Sequence, residues 1–414
     1  MRFVSVIFLL SLMHNAYAQK PVNHNWCVGS DQRSFIMLNA GINATSADFS
    51  NRFVEELVLS DQLTQETIGN EIKALNSSKN SVGLDYEMAV QGAWNLKSSS
   101  HSLLFKIADV AHLDANIPKN ITKLVFKGNK SYAGDTLDFS GLSAMGMRYQ
   151  QMAIGWQYQP TPSSAVFALV SYINGEQYVE GDFERSWLYT SVLGDTLSTS
   201  LNGGFSLSDT GRRGFAVNNG SGAAIDLGFH MQFEGEESTW DFDFAINNLG
   251  MIQWSKKTLN VNLDSNYTWR GTEIEDIINV NGQFAENELA DSLSGGVIKN
   301  INKQKKIVWL PGAIHAELLQ RRDAGFETGG GWVMRWNANF DPFVYLKNGY
   351  RFNDHIATHL SVGYGGYGTV QAGLSGSFEW SHFAANLELR NLEALILPGR
   401  FAGGSGVVNV RYLF

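Results

Sequence analysis

Cysteine is nearly absent from this chain: there is one, Cys27, in 414 residues. That excludes an internal disulfide framework. His14 to Trp26 separates Cys27 from the apolar run at the start of the chain, which argues against a lipid-bearing cysteine; an incidental thiol is the expectation. Proline is scarce, with 7 residues against 42 glycines, as suits many paired strands joined by glycine-rich turns. Beyond the first residues no stretch of roughly 18 apolar residues occurs, which excludes a bundle of membrane helices. Positive charge is in deficit: a formal charge of −9 gives nucleic-acid binding no electrostatic support.

What is present begins with a secretory signal. Arg2 precedes the apolar run Phe3 to Met13, and Ala16-Tyr17-Ala18 offers small residues for cleavage before Gln19. The run is too short for a membrane span. The chain closes on Val408, Val410, Tyr412 and Phe414 at one parity and Val407, Asn409, Arg411 and Leu413 at the other. A terminal aromatic on such a strand is the usual last strand of a bacterial outer-membrane barrel. Length alone allows two or three domains, but all-β barrels often run long as one unit.

Between the two ends the apolar period changes. Phe49, Phe53, Val54 and Leu57 recur at helical spacing, as do Ile68, Ile72 and Leu75 after Thr64, a candidate N-cap. From about residue 81 the period is two. Leu84, Tyr86, Met88 and Val90 alternate with polar residues, as do Ile225 to Phe233, Trp240 to Ile246, Leu259 to Trp269, Ile356 to Tyr364 and Val370 to Trp380. These runs reach about ten residues, enough for a tilted strand to cross the hydrocarbon layer, where strands of an exported soluble sandwich usually stop at about five or six. Weaker alternation recurs near 103–117, 145–158, 166–173, 197–207, 308–318, 332–340 and 344–352. Tight turns at Glu234-Gly235-Glu236 and Ser381-His382 fit antiparallel pairing.

The expected fold is therefore all-β: a transmembrane antiparallel barrel of roughly fourteen strands, between about 12 and 16, with a short helical N-terminal segment. The expected divisions are a signal peptide over 1–18, a helical plug or periplasmic segment over 19–80, and the barrel over 81–414. Two insertions interrupt it: Pro118 to Phe126, with a helical pattern after a proline start, and Glu273 to Lys306, acidic at its start and basic at its end. Trp94, Trp156, Trp240, Trp254, Trp269, Trp336 and Trp380 fall near strand ends or on apolar parities, where an indole meets lipid headgroups; core packing is the competing reading.

On the polar parities Glu234, Asp241, Asp243, Arg270, His355 and His359 are expected to face the lumen. No local motif joins a nucleophile to a base. Ser206, Ser208 and His230 form a triad only on paper. His355 and His359, four apart on a strand, read as two lumen histidines rather than a zinc site. Gly329-Gly330-Gly331 lacks the Lys-Ser/Thr of a phosphate loop. No catalytic, cofactor-binding or metal residue is expected, and the chain does not read as an enzyme.

Several phrases carry a resemblance. Lys123-Leu124-Val125-Phe126-Lys127-Gly128-Asn129 precedes Leu137-Asp138-Phe139-Ser140-Gly141-Leu142; later come Asn247-Asn248-Leu249-Gly250-Met251-Ile252-Gln253-Trp254 and the terminal Arg411-Tyr412-Leu413-Phe414. Together, over roughly residues 35 to 414, these resemble an uncharacterised Bacteroidetes outer-membrane family, a domain of unknown function similar to FadL-like and PorV-like barrels. The resemblance implies place and architecture, and function only by analogy. The FadL-like side implies a transport or solute-binding channel, its partners outer-membrane lipid and a small hydrophobic solute. The PorV-like side implies a scaffold or a partner of a secretion or gliding system, among other outer-membrane proteins. An outer-membrane hydrolase would need a constellation the sequence lacks.

Overall fold

The computed structural model describes residues 33–46, 48–58, 63–96, 100–209, 211–212, 214–270 and 300–414. The expected signal peptide, Cys27 and most of the Glu273–Lys306 insertion lie outside the described residues.

The first strand is β1 (Phe35–Ser46), followed by α1 (Asn51–Val58) and α2 (Gln65–Ala74). Next come β2 (Ser81–Asn95), β3 (His101–Asn116), α3 (Lys119–Lys127) and β4 (Thr136–Asp138). The long strands β5 (Leu142–Thr161) and β6 (Ser164–Thr190) lead to β7 (Leu197–Leu207), β8 (Gly220–Glu234), β9 (Ser238–Trp254) and β10 (Leu259–Trp269). After β11 (Asn300–Lys303) and β12 (Lys306–Trp309) the chain runs through β13 (Gly312–Arg322), β14 (Phe326–Trp336), β15 (Asp341–Asn353) and β16 (Ile356–Gly366). It finishes with β17 (Val370–Trp380), β18 (Phe383–Arg390), α4 (Leu392–Ile396) and β19 (Ala402–Leu413).

Fourteen of these strands close an antiparallel barrel: β1, β2, β3, β5, β6, β8, β9 and β13 through β19. Closure is made by β1, which pairs with β19 on one side and β2 on the other. The Phe414 amide extends the seam by donating to the Ser34 carbonyl at 2.9 Å. This corrects the expected division at residue 81. Residues 35–46 are wall, not part of a helical segment. Both faces of β1 are apolar at its start, because Phe35 and Met37 pack inward with Leu104, Phe167, Leu169 and Leu413 while Ile36 and Leu38 point out. No alternation marks such a strand.

The two ends of the barrel differ. Beside the strand ends at Phe35 and Leu413, the connections at 162–163, 235–237, 323–325, 354–355 and 381–382 are two or three residues long. The opposite, loop end carries the elaborations. There α1 and α2 pack Phe49, Phe53 and Leu75 against Ala402, with Phe126 of α3 edge-on to Phe53 at 5.4 Å. Thr64 caps α2 by accepting from the Thr67 amide at 3.1 Å. Inside this cap the buried Glu71 carboxylate accepts from both the amide and the hydroxyl of Ser50, each at 2.8 Å. Burial holds its proton above the usual carboxylate range, and the Ser50 bonds only partly offset this. Beyond the wall, the far half of β6 pairs with β7, which pairs with β10 and then β11, giving a sheet that stands clear of the barrel.

The outward face is apolar along the wall: Leu103, Phe105 and Ile107 on β3, Val344 and Leu346 on β15, Leu360, Val362 and Tyr364 on β16. From Ile356 to Tyr364 the strand covers about 26 Å, or about 20 Å of height at a tilt of roughly 40°, close to the roughly 25 Å band of a membrane barrel. Trp94, Trp156 and Trp380 are exposed at the foot of the band, beside Phe414 and Tyr412. Trp254 departs from the expectation. Asn248 takes a left-handed φ of 56° at a bulge against β8, its amide held by Asp226 at 2.6 Å. The bulge reverses the parity of β9, so Trp254 turns inward, fully buried and stacked on Tyr178 at 5.1 Å.

Candidate functional site

Two features occupy the bore. The first is a bar across it near the loop end. Arg335 of β14 donates two bonds to Asp85 of β2, Nη1 to Oδ2 at 2.6 Å and Nη2 to Oδ1 at 2.9 Å. These strands are seven places apart in either direction round the wall. A circular fourteen-strand section would hold opposite walls beyond the reach of two side chains, so the bore is pinched at this level. His112 of β3 continues the bar, with Nδ1 2.6 Å from Asp85 and Nε2 2.9 Å from Asp114. Asp114 in turn accepts from the Asn339 side chain at 2.6 Å. Tyr367, from the turn after β16, lies over Gly83 of β2, where a Cβ would meet its ring at 2.0 Å. Only glycine admits that ring. Above the bar, Lys79 and Asp341 pair across the mouth at 2.7 Å.

The second feature is a cavity of about 240 Å³ below the bar, against β13 to β19. It exists because the inward positions there are small: Ala357, Ser361, Gly373, Ser375, Ser377 and Ala384. The other half of the bore is filled, by Tyr149, Ile173, Tyr178, Ile252 and Leu310 among others. The cavity is open toward the short-turn end, where the Arg321, Arg351 and Glu379 side chains are 42%, 40% and 63% exposed. At its inner end Gln371 is buried, and Phe340 packs edge-on to the buried Tyr367 at 5.2 Å.

Charge lines this cavity. Glu327 gathers three partners: Arg351 at 2.7 Å, His359 Nε2 at 2.5 Å and Arg321 Nε at 3.7 Å. Arg321 also meets Asp241 at 3.0 Å. Asp243 lies 2.9 Å from His230 Nδ1. Deeper in, Glu317 accepts from the Tyr345 hydroxyl and from Lys347 at 3.1 Å. Such a lining can hold a polar, charged solute, and among the described residues no cluster has the makings of a metal site.

Of the residues singled out by sequence, Asp241, Asp243 and His359 line the cavity. Three do not. Glu234 has the inward parity but is the last residue of β8, exposed at the rim. Arg270 follows β10, which belongs to the outer sheet and not to the wall. His355 sits in a turn, its Nδ1 2.9 Å from the Glu379 carbonyl and its ring 4.8 Å from exposed Trp380. The paper triad is dispersed: Ser206 bonds Asn260 at 2.9 Å in the outer sheet, Ser208 accepts from the Tyr178 amide at 3.0 Å, and His230 belongs to Asp243. Asp85, Glu327, Arg335 and Arg390 are not among the residues the sequence singles out. Asp85 sits on the polar parity of the alternating run that starts at Leu84, and for Glu327, Arg335 and Arg390 inward parity in weakly patterned strands is the one signal.

A comparison with curated protein sequences found no match. Among solved structures the chain is similar to a Pseudomonas aeruginosa FadL homologue, at 7% identity and a TM-score of 0.44, covering 92% of this chain and 90% of that one. It is similar also to the P. putida toluene transporter TodX, at 6% identity and a TM-score of 0.39, with 92% and 90% covered. The translocator domain of the autotransporter NalP from Neisseria meningitidis gives 8% identity and a TM-score of 0.36 over 92% and 88%. One family model, that of the family of unknown function DUF5723, matches residues 25–386, and the chain belongs to that family.

Proposed function

We propose that this protein sits in the outer membrane as a gated solute channel, open in this state only to the periplasm. Export would follow cleavage of residues 1–18 before Gln19. In barrels of this kind short turns face the periplasm and long loops the exterior, so the cap of α1 and α2 and the outer sheet would lie outside the cell. The observation that carries the reading is the blind, charged cavity beneath the Arg335–Asp85 bar. A barrel serving only as a scaffold has no need of a wet pocket lined by side chains that small. The outer sheet of β6, β7, β10 and β11 supports the second reading, a scaffold that presents a surface to other outer-membrane proteins. Binding and passage, not catalysis, is the activity proposed.

The test is solute entry into liposomes that carry the pure protein, wild type beside Asp85→Asn/Arg335→Gln. Entry of glycine faster through the variant than through wild type is expected. Equal, background-level entry for both, with folded protein confirmed, would favour the scaffold.

A further inference from the structure

We propose that the cavity takes a short zwitterionic peptide, with its carboxylate on Arg390 and its ammonium toward Asn409. The inference rests on reading the lumen as a solute site, and it names the solute class.

Six carboxylates and five Lys or Arg side chains face the cavity. A simple anion or cation would meet charges of its own sign there. A molecule with one charge of each sign, held apart, would not. Each of these cations already meets a carboxylate. Arg390 still points at a ligand, because one of its nitrogens is left over. Its Nε donates to Glu388 at 2.6 Å, but its Nη2 is buried with no acceptor. A buried guanidinium nitrogen calls for a hydrogen-bond acceptor, and a carboxylate matches its fork. Space for one lies in the cavity itself, which Arg390 and its register partner Gly373 both line. Across the cavity stand Tyr345, Glu317 and Lys347.

The complementary group is on the next strand. Asn409 of β19 faces the cavity with its Oδ1 buried and unpaired. That oxygen can only accept, so it suits an ammonium donor. Asn409 pairs in register with Asn386, four residues along β18 from Arg390, or about 13 Å at strand rise. Arg390 reaches part of that way. The remaining gap suits an extended peptide of two or three residues and is too long for the two ends of one amino acid.

The experiment is isothermal titration calorimetry of the full chain in detergent micelles with triglycine. The control is N-acetyl-triglycine amide, the same backbone without end charges. Triglycine is expected to bind, and the blocked peptide at least tenfold more weakly. Arg390→Gln should lose at least tenfold in triglycine affinity, and Arg390→Lys should recover part of it. Equal binding of free and blocked peptide, no binding of triglycine to folded protein, or unchanged affinity in Arg390→Gln would overturn the proposal. The peptide pair tests wild type, so the result does not depend on a variant's folding. Calorimetry needs no passage through the bore. Binding without entry into liposomes would remove the channel reading and keep the site; entry of glycine with silent calorimetry would remove the site and keep the channel.

Discussion

Arg335 and Asp85, 250 residues apart in the chain, form a two-bond ion pair that ties opposite walls of one barrel. Both side chains are nearly buried, at 10% and 7% exposure. Removing Arg335 leaves the buried Asp85 with His112 as its one remaining side-chain partner among the described residues, and breaking a buried pair on one side typically costs about 3–5 kcal/mol. Arg335→Gln alone should therefore destabilise the folded barrel by about that much. Adding Asp85→Asn should restore part of the loss, since no charge is then stranded. Urea unfolding in detergent reads both. Additive losses in the double variant would mean that the two residues do not act as a pair.

The faces of β9 can be tested side by side. Phe244 points outward and Asp243 inward, half-exposed beside His230. Phe244→Arg in the apolar band should cost on the order of 2–4 kcal/mol. Asp243→Asn loses a wet ion pair, worth at most about 1 kcal/mol. Comparable losses for the two substitutions would contradict the assignment of faces.

Glu71 makes the helical cap sensitive to pH. Its folded-state proton affinity is raised by burial. Below the ordinary carboxylate range the group is protonated in both folded and unfolded cap, and pH has no effect through it. As pH rises, the unfolded form releases its proton first, so the folded cap loses relative stability until the folded carboxyl has also ionised. Hydrogen exchange of residues 51–74 should show the protection of wild type, measured against Glu71→Gln, falling from about pH 4 to pH 7. A constant ratio across that range would show that Glu71 is not strained by burial.

Two deletions separate wall from cap. Removing 51–74 with a short linker should leave a closed, heat-modifiable barrel, because β1 and β2 remain joined edge to edge. Removing 35–46 should abolish it, because β19 then has no partner and lipid tolerates no open edge. Gel mobility of unheated samples distinguishes the outcomes. A folded barrel without 35–46 would remove β1 from the wall.

Much of the wall is legible in sequence wherever one face is apolar and the other polar, as along Ile356 to Tyr364. It becomes illegible where the lumen is itself dry. Phe35 and Met37 pack against the filled half of the bore, so β1 shows no period of two. The bulge at Asn248 inverts parity in mid-strand, and the indole of Trp254 follows it inward. Asp241, Asp243 and His359 could be read as inward by parity alone. Arg335 and Asp85 could not be joined by it, because their contact depends on closure and on a pinched section, neither of which is a local property of either strand. Arg390 lies in a strand of eight residues, too short to announce its period.

The most direct test of the account is electrical. On the proposed gating, wild-type protein reconstituted in planar bilayers should show little steady conductance. Asp85→Asn/Arg335→Gln, folded by the same gel criterion, should show discrete open steps. Sustained large currents through wild type, or a folded double variant as silent as wild type, would contradict the claim that this pair holds the channel shut.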